Sequence, residues 1–94
     1  MPASSEPATT VEQVVTLPKH LHARPAGQVV QAAARYPDTT VELSKDGRTA
    51  NARSILAVMG LGAVTGDQIL VRAAGADPAG ALAAVAAILT AAAE

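Results

Sequence analysis

Two histidines stand one residue apart in Lys19-His20-Leu21-His22-Ala23-Arg24-Pro25-Ala26-Gly27, and they are the only histidines of a 94-residue chain without cysteine. An imidazole can act as a nucleophile, a proton carrier or a metal ligand. Arg24, two residues beyond His22, adds a permanent cation whose planar donor fork suits phosphate oxygens. Pro25 marks the start of a helix, because only a first turn tolerates a residue with no N–H to donate. His22 is therefore expected at or just before a helix start, where about four backbone N–H groups lack intrahelical partners and the dipole leaves roughly half a positive charge. Such an end binds phosphate. These residue types at this spacing describe a histidine that accepts a phosphoryl group and has the product held by Arg24 and the helix end. Two other readings stay open. A lone histidine at a helix start commonly caps the helix or is solvated. His20 and His22 also form an H-x-H pair, but two ligands with no cysteine and no carboxylate nearby in sequence do not make a metal site, and none is expected.

Short elements must position this segment. Glu12-Gln13-Val14-Val15-Thr16-Leu17 is rich in β-branched residues and reads as a strand that Pro18 ends. From Ala23 the period changes: Ala26, Val29, Val30 and Ala33 recur at helical spacing, and Pro37 keeps Tyr36 out of the α region, so the helix stops near Arg35. Val41 and Leu43 alternate with polar neighbours in a strand over 40–44, and Asp46-Gly47 is a preferred hairpin turn that folds 48–52 back against it. A short helix follows near Ser54-Ile55-Leu56-Ala57-Val58-Met59-Gly60, capped by Ser54 or Asn51. Its bulky apolar residues are too many for so brief a helix to bury, so part of the set Ile55, Leu56, Val58, Met59 and Leu61 is expected at the surface. Gln68–Ala73 is a strand, and Asp77-Pro78 opens a last helix with Leu82, Val85, Ile88 and Leu89 as its buried stripe. Gly80 inside that helix costs roughly 1 kcal/mol relative to alanine. The order β-α-β-β-α-β-α describes an α+β fold with an antiparallel sheet covered on one face.

Composition narrows the classes. The length gives a single domain, assigned to residues 12–94 after a flexible tail over 1–11. Half the residues are hydrophobic, yet Tyr36 is the only aromatic, so the core must be aliphatic. A net charge of −1 gives no footprint for nucleic acid. The first ten residues lack a signal peptide's basic start and apolar run, and the apolar run from Ala79 to Ala93 is shorter than the ~20 residues of a membrane span. A soluble, cytoplasmic protein without membrane insertion is expected.

The run Leu21-His22-Ala23-Arg24-Pro25-Ala26 closely resembles the active-site segment of HPr, the histidine-containing phosphocarrier family of the bacterial phosphoenolpyruvate-dependent sugar phosphotransferase system. Asn51-Ala52-Arg53-Ser54-Ile55-Leu56-Ala57-Val58-Met59-Gly60-Leu61-Gly62 resembles that family's regulatory-serine segment and short helix, at a similar distance along the chain. The resemblance runs from about Glu12 to the last helix. It implies an open-faced β-sandwich, a four-stranded antiparallel sheet with three helices on one face. It also implies that His22 is transiently phosphorylated, on Nδ1 in the family, receiving its phosphoryl group from phospho-enzyme I and passing it to IIA domains for sugar uptake. Arg24 then contacts the phosphoryl group, and Ser54 is the serine that an HPr kinase/phosphorylase modifies in some bacteria. The exposed part of Ile55, Leu56 and Met59 is expected to dock these partners, with Lys19, Arg24 and Arg53 as a basic rim. Such a protein is a carrier and not an enzyme, needs no cofactor or metal, and is expected to be monomeric. One residue departs from the pattern: His20 stands where the family commonly has glycine, so the loop is expected to differ slightly there. The alternatives are a carrier of a nitrogen-related regulatory phosphotransferase branch and, from another class, a small-molecule-binding regulatory domain in which His22 merely caps a helix.

Overall fold

Asp46 and Gly47 both adopt positive φ, 51° and 83°, the backbone that a two-residue hairpin turn requires. In the computed structural model, which describes residues 9–91, this turn joins strand β2, Thr39–Lys45, to β3, Arg48–Asn51, with Lys45 opposite Arg48. Strand β4, Gln68–Gly75, pairs antiparallel with β2 on one side and with β1, Thr9–Thr16, on the other, giving the sheet order β1-β4-β2-β3. Helices α1, Ala23–Ala34, α2, Ile55–Gly60, and α3, Pro78–Thr90, complete the order βαββαβα. This is the four-stranded antiparallel sheet with three helices expected from the sequence.

Alternation explains why one sheet face is covered. Ile69, Val71 and Ala73 of β4, Val41 and Leu43 of β2, and Val15 of β1 are buried against Val29 of α1, Val58 of α2, and Val85 and Leu89 of α3. The intervening residues face solvent; there Arg72 and Glu12 lie 3.5 Å apart on neighbouring strands, an exposed pair that contributes little to stability. The α3 stripe is rotated from the expected one. Ala81, Val85, Ala86 and Leu89 are buried, whereas Leu82 and Ile88 are only half-buried, because small alanines let the helix approach the sheet closely. Gly80 also has a local reason. The Asp77 side chain caps α3 by accepting from the Gly80 N–H at 3.1 Å, and a Cβ on residue 80 would lie 2.5 Å from Asp77 Oδ2.

Strand β1 begins three residues before its sequence pattern. Thr9, Thr10 and Val11, assigned to the tail, pair with Gly75, Ala74 and Ala73. The eight residues of β4 set the length of its partner, and an adjoining polar segment gives no sign of that. The remainder of the expected tail, residues 1–8, lies outside the described residues. At the far end of β4 the chain turns through Gly75, with φ 135°, into α3. The corner is stitched to the start of β2: Ala76 N–H donates to Asp38 O at 3.0 Å, and Asp77 N–H to the buried Thr39 Oγ1 at 2.9 Å. Among the described residues no helix is long and apolar enough to cross a membrane.

Candidate functional site

The segment carrying both histidines is held by a loop that neither histidine belongs to. Leu17 donates its N–H to Asp67 O at 2.9 Å and accepts from Gly66 N–H at 2.8 Å, and Leu21 N–H donates to Ala63 O at 3.1 Å. The side chains of Leu17 and Leu21 are buried, which turns the residues between and after them outward. The supporting loop closes on itself through Val64 N–H donating to Asp67 Oδ2 at 2.9 Å, and Lys45 Nζ lies 3.5 Å from the same oxygen. Both histidines are exposed.

His22 is the N-cap residue of α1, with extended φ −75° and ψ 179°. Its carbonyl accepts the first helical bond from Ala26 N–H at 3.0 Å, but its side chain makes no capping hydrogen bond. The side-chain cap is therefore corrected: the backbone of His22 starts the helix, and its imidazole stands in solvent without a capping bond. Ala23 and Arg24 occupy the first two helical positions, where their N–H groups have no intrahelical acceptor, and Pro25 takes the third without leaving a donor unmatched. Lys19, His20, His22, Arg24 and Gln28 line an open cleft of about 410 Å³. Among the described residues neither Lys19 nor Arg24 has an ion-pair partner, and both cations line the cleft beside the His22 imidazole, an arrangement that suits a small anion.

His20 has a structural partner. Its Nδ1 accepts from Thr65 N–H at 3.0 Å and lies 3.1 Å from Thr65 Oγ1. The two imidazoles approach edge-on, with ring centres 5.4 Å apart and planes at 62°. Asp46 is the only described residue other than glycine with positive φ, so position 20 asks for no glycine-specific backbone here. Among the described residues no group of three or more potential ligands is placed to hold a metal ion.

The second block lies against the first helix. Ser54 caps α2, its Oγ accepting from Ala57 N–H at 3.2 Å, whereas Asn51 Oδ1 accepts from Arg53 N–H at 2.8 Å and so belongs to the preceding turn. Val58 and Leu61 are buried, while Ile55, Leu56 and Met59 are 39%, 82% and 42% exposed. A Cβ on Gly27 would meet Ile55 Cδ1 at 3.8 Å, which places this apolar surface beside α1 about one turn from its start. Arg53 belongs elsewhere. Its Nη2 donates to Tyr36 O at 2.6 Å and approaches Thr39 O at 3.5 Å, just beyond the end of α1 opposite to His22. The twelve residues of α1 span about 18 Å, so Arg53 secures the α1–β2 connection and does not stand in the basic rim of the cleft. Thr65 carried no sequence signal and reaches the site through the fold, whereas Gln28 lies one turn beyond Arg24 on α1, a spacing the sequence already displays.

The family model described as "PTS HPr component phosphorylation site" matches residues 9–91. A phosphocarrier protein HPr from Bacillus anthracis is 38% identical, the match covering 86% of this chain and 98% of that one, with a TM-score of 0.78. An HPr structure from Thermoanaerobacter tengcongensis is 31% identical over 86% of this chain and 90% of its own, with a TM-score of 0.68. Crh, the catabolite repression containing protein of Bacillus subtilis, is 41% identical over 80% of this chain and 85% of its own, with a TM-score of 0.69.

Proposed function

The chain belongs to the PTS HPr family of non-catalytic phosphoryl carriers, and we propose that it works there as a carrier whose His22 accepts a phosphoryl group from phospho-enzyme I and passes it to a IIA domain. The observation that carries this reading is the exposed His22 imidazole, unused by the helix that its own backbone begins, in a cleft flanked by Lys19 and Arg24. A lone pair on one ring nitrogen attacks phosphorus as the donor's bond to that phosphorus breaks. In the reverse sense, an acceptor nucleophile attacks and the N–P bond breaks. Arg24 and the amides of Ala23 and Arg24 serve the phosphoryl oxygens in both directions, so little reorganisation accompanies transfer. Nδ1 is the acceptor nitrogen by likeness to the family, and the cytoplasm, where these partners act, is the place of work.

A pulse of labelled phosphoenolpyruvate with a trace of enzyme I should give an acid-labile, base-stable label on the chain. Adding a IIA domain should then drain it. The IIA domain that drains it fastest separates a sugar-uptake role from the nitrogen-related branch. A second reading has its own support: Crh is as similar to this chain as the carriers are, and Ser54 stands at the start of α2 with an Oγ that only accepts in its cap bond. In that regulatory role an ATP-dependent HPr kinase/phosphorylase would place an acid-stable label on Ser54, and enzyme I would place none.

Docking is proposed for Ile55, Leu56 and Met59. Leu56 is the most exposed of them, so a charge there costs no core packing. Leu56→Asp should raise the KM of enzyme I for this chain about tenfold, the scale of one interface residue, with kcat and Tm close to wild type. An unchanged KM removes this surface from the docking site.

A further inference from the structure

A histidine presents two different ring nitrogens, and a hydrogen bond at one fixes the role of the other. In His20 the Thr65 N–H points at Nδ1, and a backbone amide can only donate, so Nδ1 must be the acceptor and the ring proton resides on Nε2. Nε2 diverges from Nδ1 across the ring, and the ring lines the same cleft as His22, Lys19 and Arg24. With the ring centres 5.4 Å apart, a phosphoryl group on His22 adds three oxygens beside the His20 ring, within the cleft that both rings line. Those oxygens are acceptors only, and a neutral N–H held by the Thr65 amide suits them without a further rearrangement. The metal-pair alternative is poorer, because Nδ1 of His20 is already engaged and the described residues supply no third ligand.

We propose that His20 is a second phosphoryl-contacting residue: the Thr65 amide orients its ring, and its Nε2–H donates to a phosphoryl oxygen carried by His22. This rests on the reading of His22 as the acceptor. The loop pairing of Thr65 and the donor role are separable by substitution. In His20→Asn the side-chain oxygen takes the place of Nδ1 and keeps the Thr65 N–H bonded, while its amide nitrogen falls short of the position of Nε2.

The test has two parts. In the unphosphorylated chain, long-range proton–nitrogen spectra should show His20 as the Nε2–H tautomer, and the Nδ1–H tautomer overturns the proposal. In the phosphorylated chain, the transfer equilibrium with enzyme I is measured for wild type, His20→Ala and His20→Asn. Both variants should still take label, with the equilibrium displaced about tenfold toward phospho-enzyme I, the scale of one hydrogen bond to a charged group. Hydrogen exchange at the Thr65 amide should stay slow in His20→Asn and quicken in His20→Ala. A wild-type equilibrium in His20→Asn shows that His20 acts only through the loop and overturns the donor role, leaving His22 as acceptor untouched. A wild-type chain that takes no label from enzyme I at all overturns both readings.

Discussion

His22→Ala is expected to lower phosphoryl acceptance from enzyme I by at least about three orders of magnitude, the scale on which removal of a covalent nucleophile acts. No other side chain in the cleft can substitute. Nδ1 of His20 is engaged by Thr65 N–H, its Nε2 carries the proton, and it lacks the helix start that follows His22 directly. The fold should be nearly unaffected, since the His22 side chain is exposed and makes no capping bond. Incorporation of label over time, read beside the thermal transition of the same sample, checks both halves. A loss of label accompanied by unfolding would show a structural role in its place.

The largest stability effect is expected at Gly75. Its φ of 135° is open to glycine and strained for any side chain. In addition, a Cβ there would overlap Asp38 O and lie 2.8 Å from Thr39 Cα, both backbone atoms of the neighbouring strand start. Neither can rotate away. Relief would require parting β4 from β2 at the corner where Ala76 N–H and Asp77 N–H bond to Asp38 O and Thr39 Oγ1. Gly75→Ala should therefore destabilise the domain by about 3 kcal/mol or more, strain and lost pairing together. In a domain of this size each kcal/mol lowers Tm by about 4–8 °C, so the shift is large in a thermal melt. Gly60→Ala is the matched control: nothing lies within 4 Å of its added Cβ, its φ is not positive and it lies in α2, so its Tm should be at or a few degrees above wild type, never below it.

The contrast between these two glycines shows which parts of the fold a sequence displays. Features set by neighbours a few residues apart were legible: Asp46-Gly47 with its positive φ, Pro25 in a first turn, Pro37 beyond a helix end, and the Asp77-Pro78 start. So was the surplus of apolar residues in α2, which leaves Leu56 in solvent. Features set by distant chain were not. Gly75 is required by Asp38 and Thr39, His20 is oriented by Thr65, 45 residues away, and Arg53 reaches back to Tyr36 O over 17 residues. The sequence placed Arg53 in the basic rim beside His22, whereas its exposed guanidinium bonds the α1–β2 connection. The early start of β1 belongs to the same class, because β4 decides where its partner begins.

At the site, one helix start organises His22, Arg24 and Pro25, so their spacing suited phosphoryl chemistry. It did not by itself choose that chemistry over a cap or a solvated side chain; the likeness of the run Leu21–Ala26 to the HPr segment did. The choice between Ser54 and Asn51 as cap was not settled by local spacing, since either side chain could reach a free amide near the start of α2. The structure divides the work: Asn51 Oδ1 takes Arg53 N–H, and Ser54 Oγ takes Ala57 N–H. His20 changed most in meaning, from an exception to the family pattern into a ring with a fixed tautomer.

The most direct measurement is nitrogen and phosphorus NMR of the chain after phosphorylation by enzyme I and phosphoenolpyruvate. The expected result is one phosphorus signal coupled to a ring nitrogen of His22, with the His20 ring still unmodified. A phosphorus signal coupled to a nitrogen of His20, or one arising from the Ser54 oxygen alone, would contradict His22 as the carrier of the phosphoryl group.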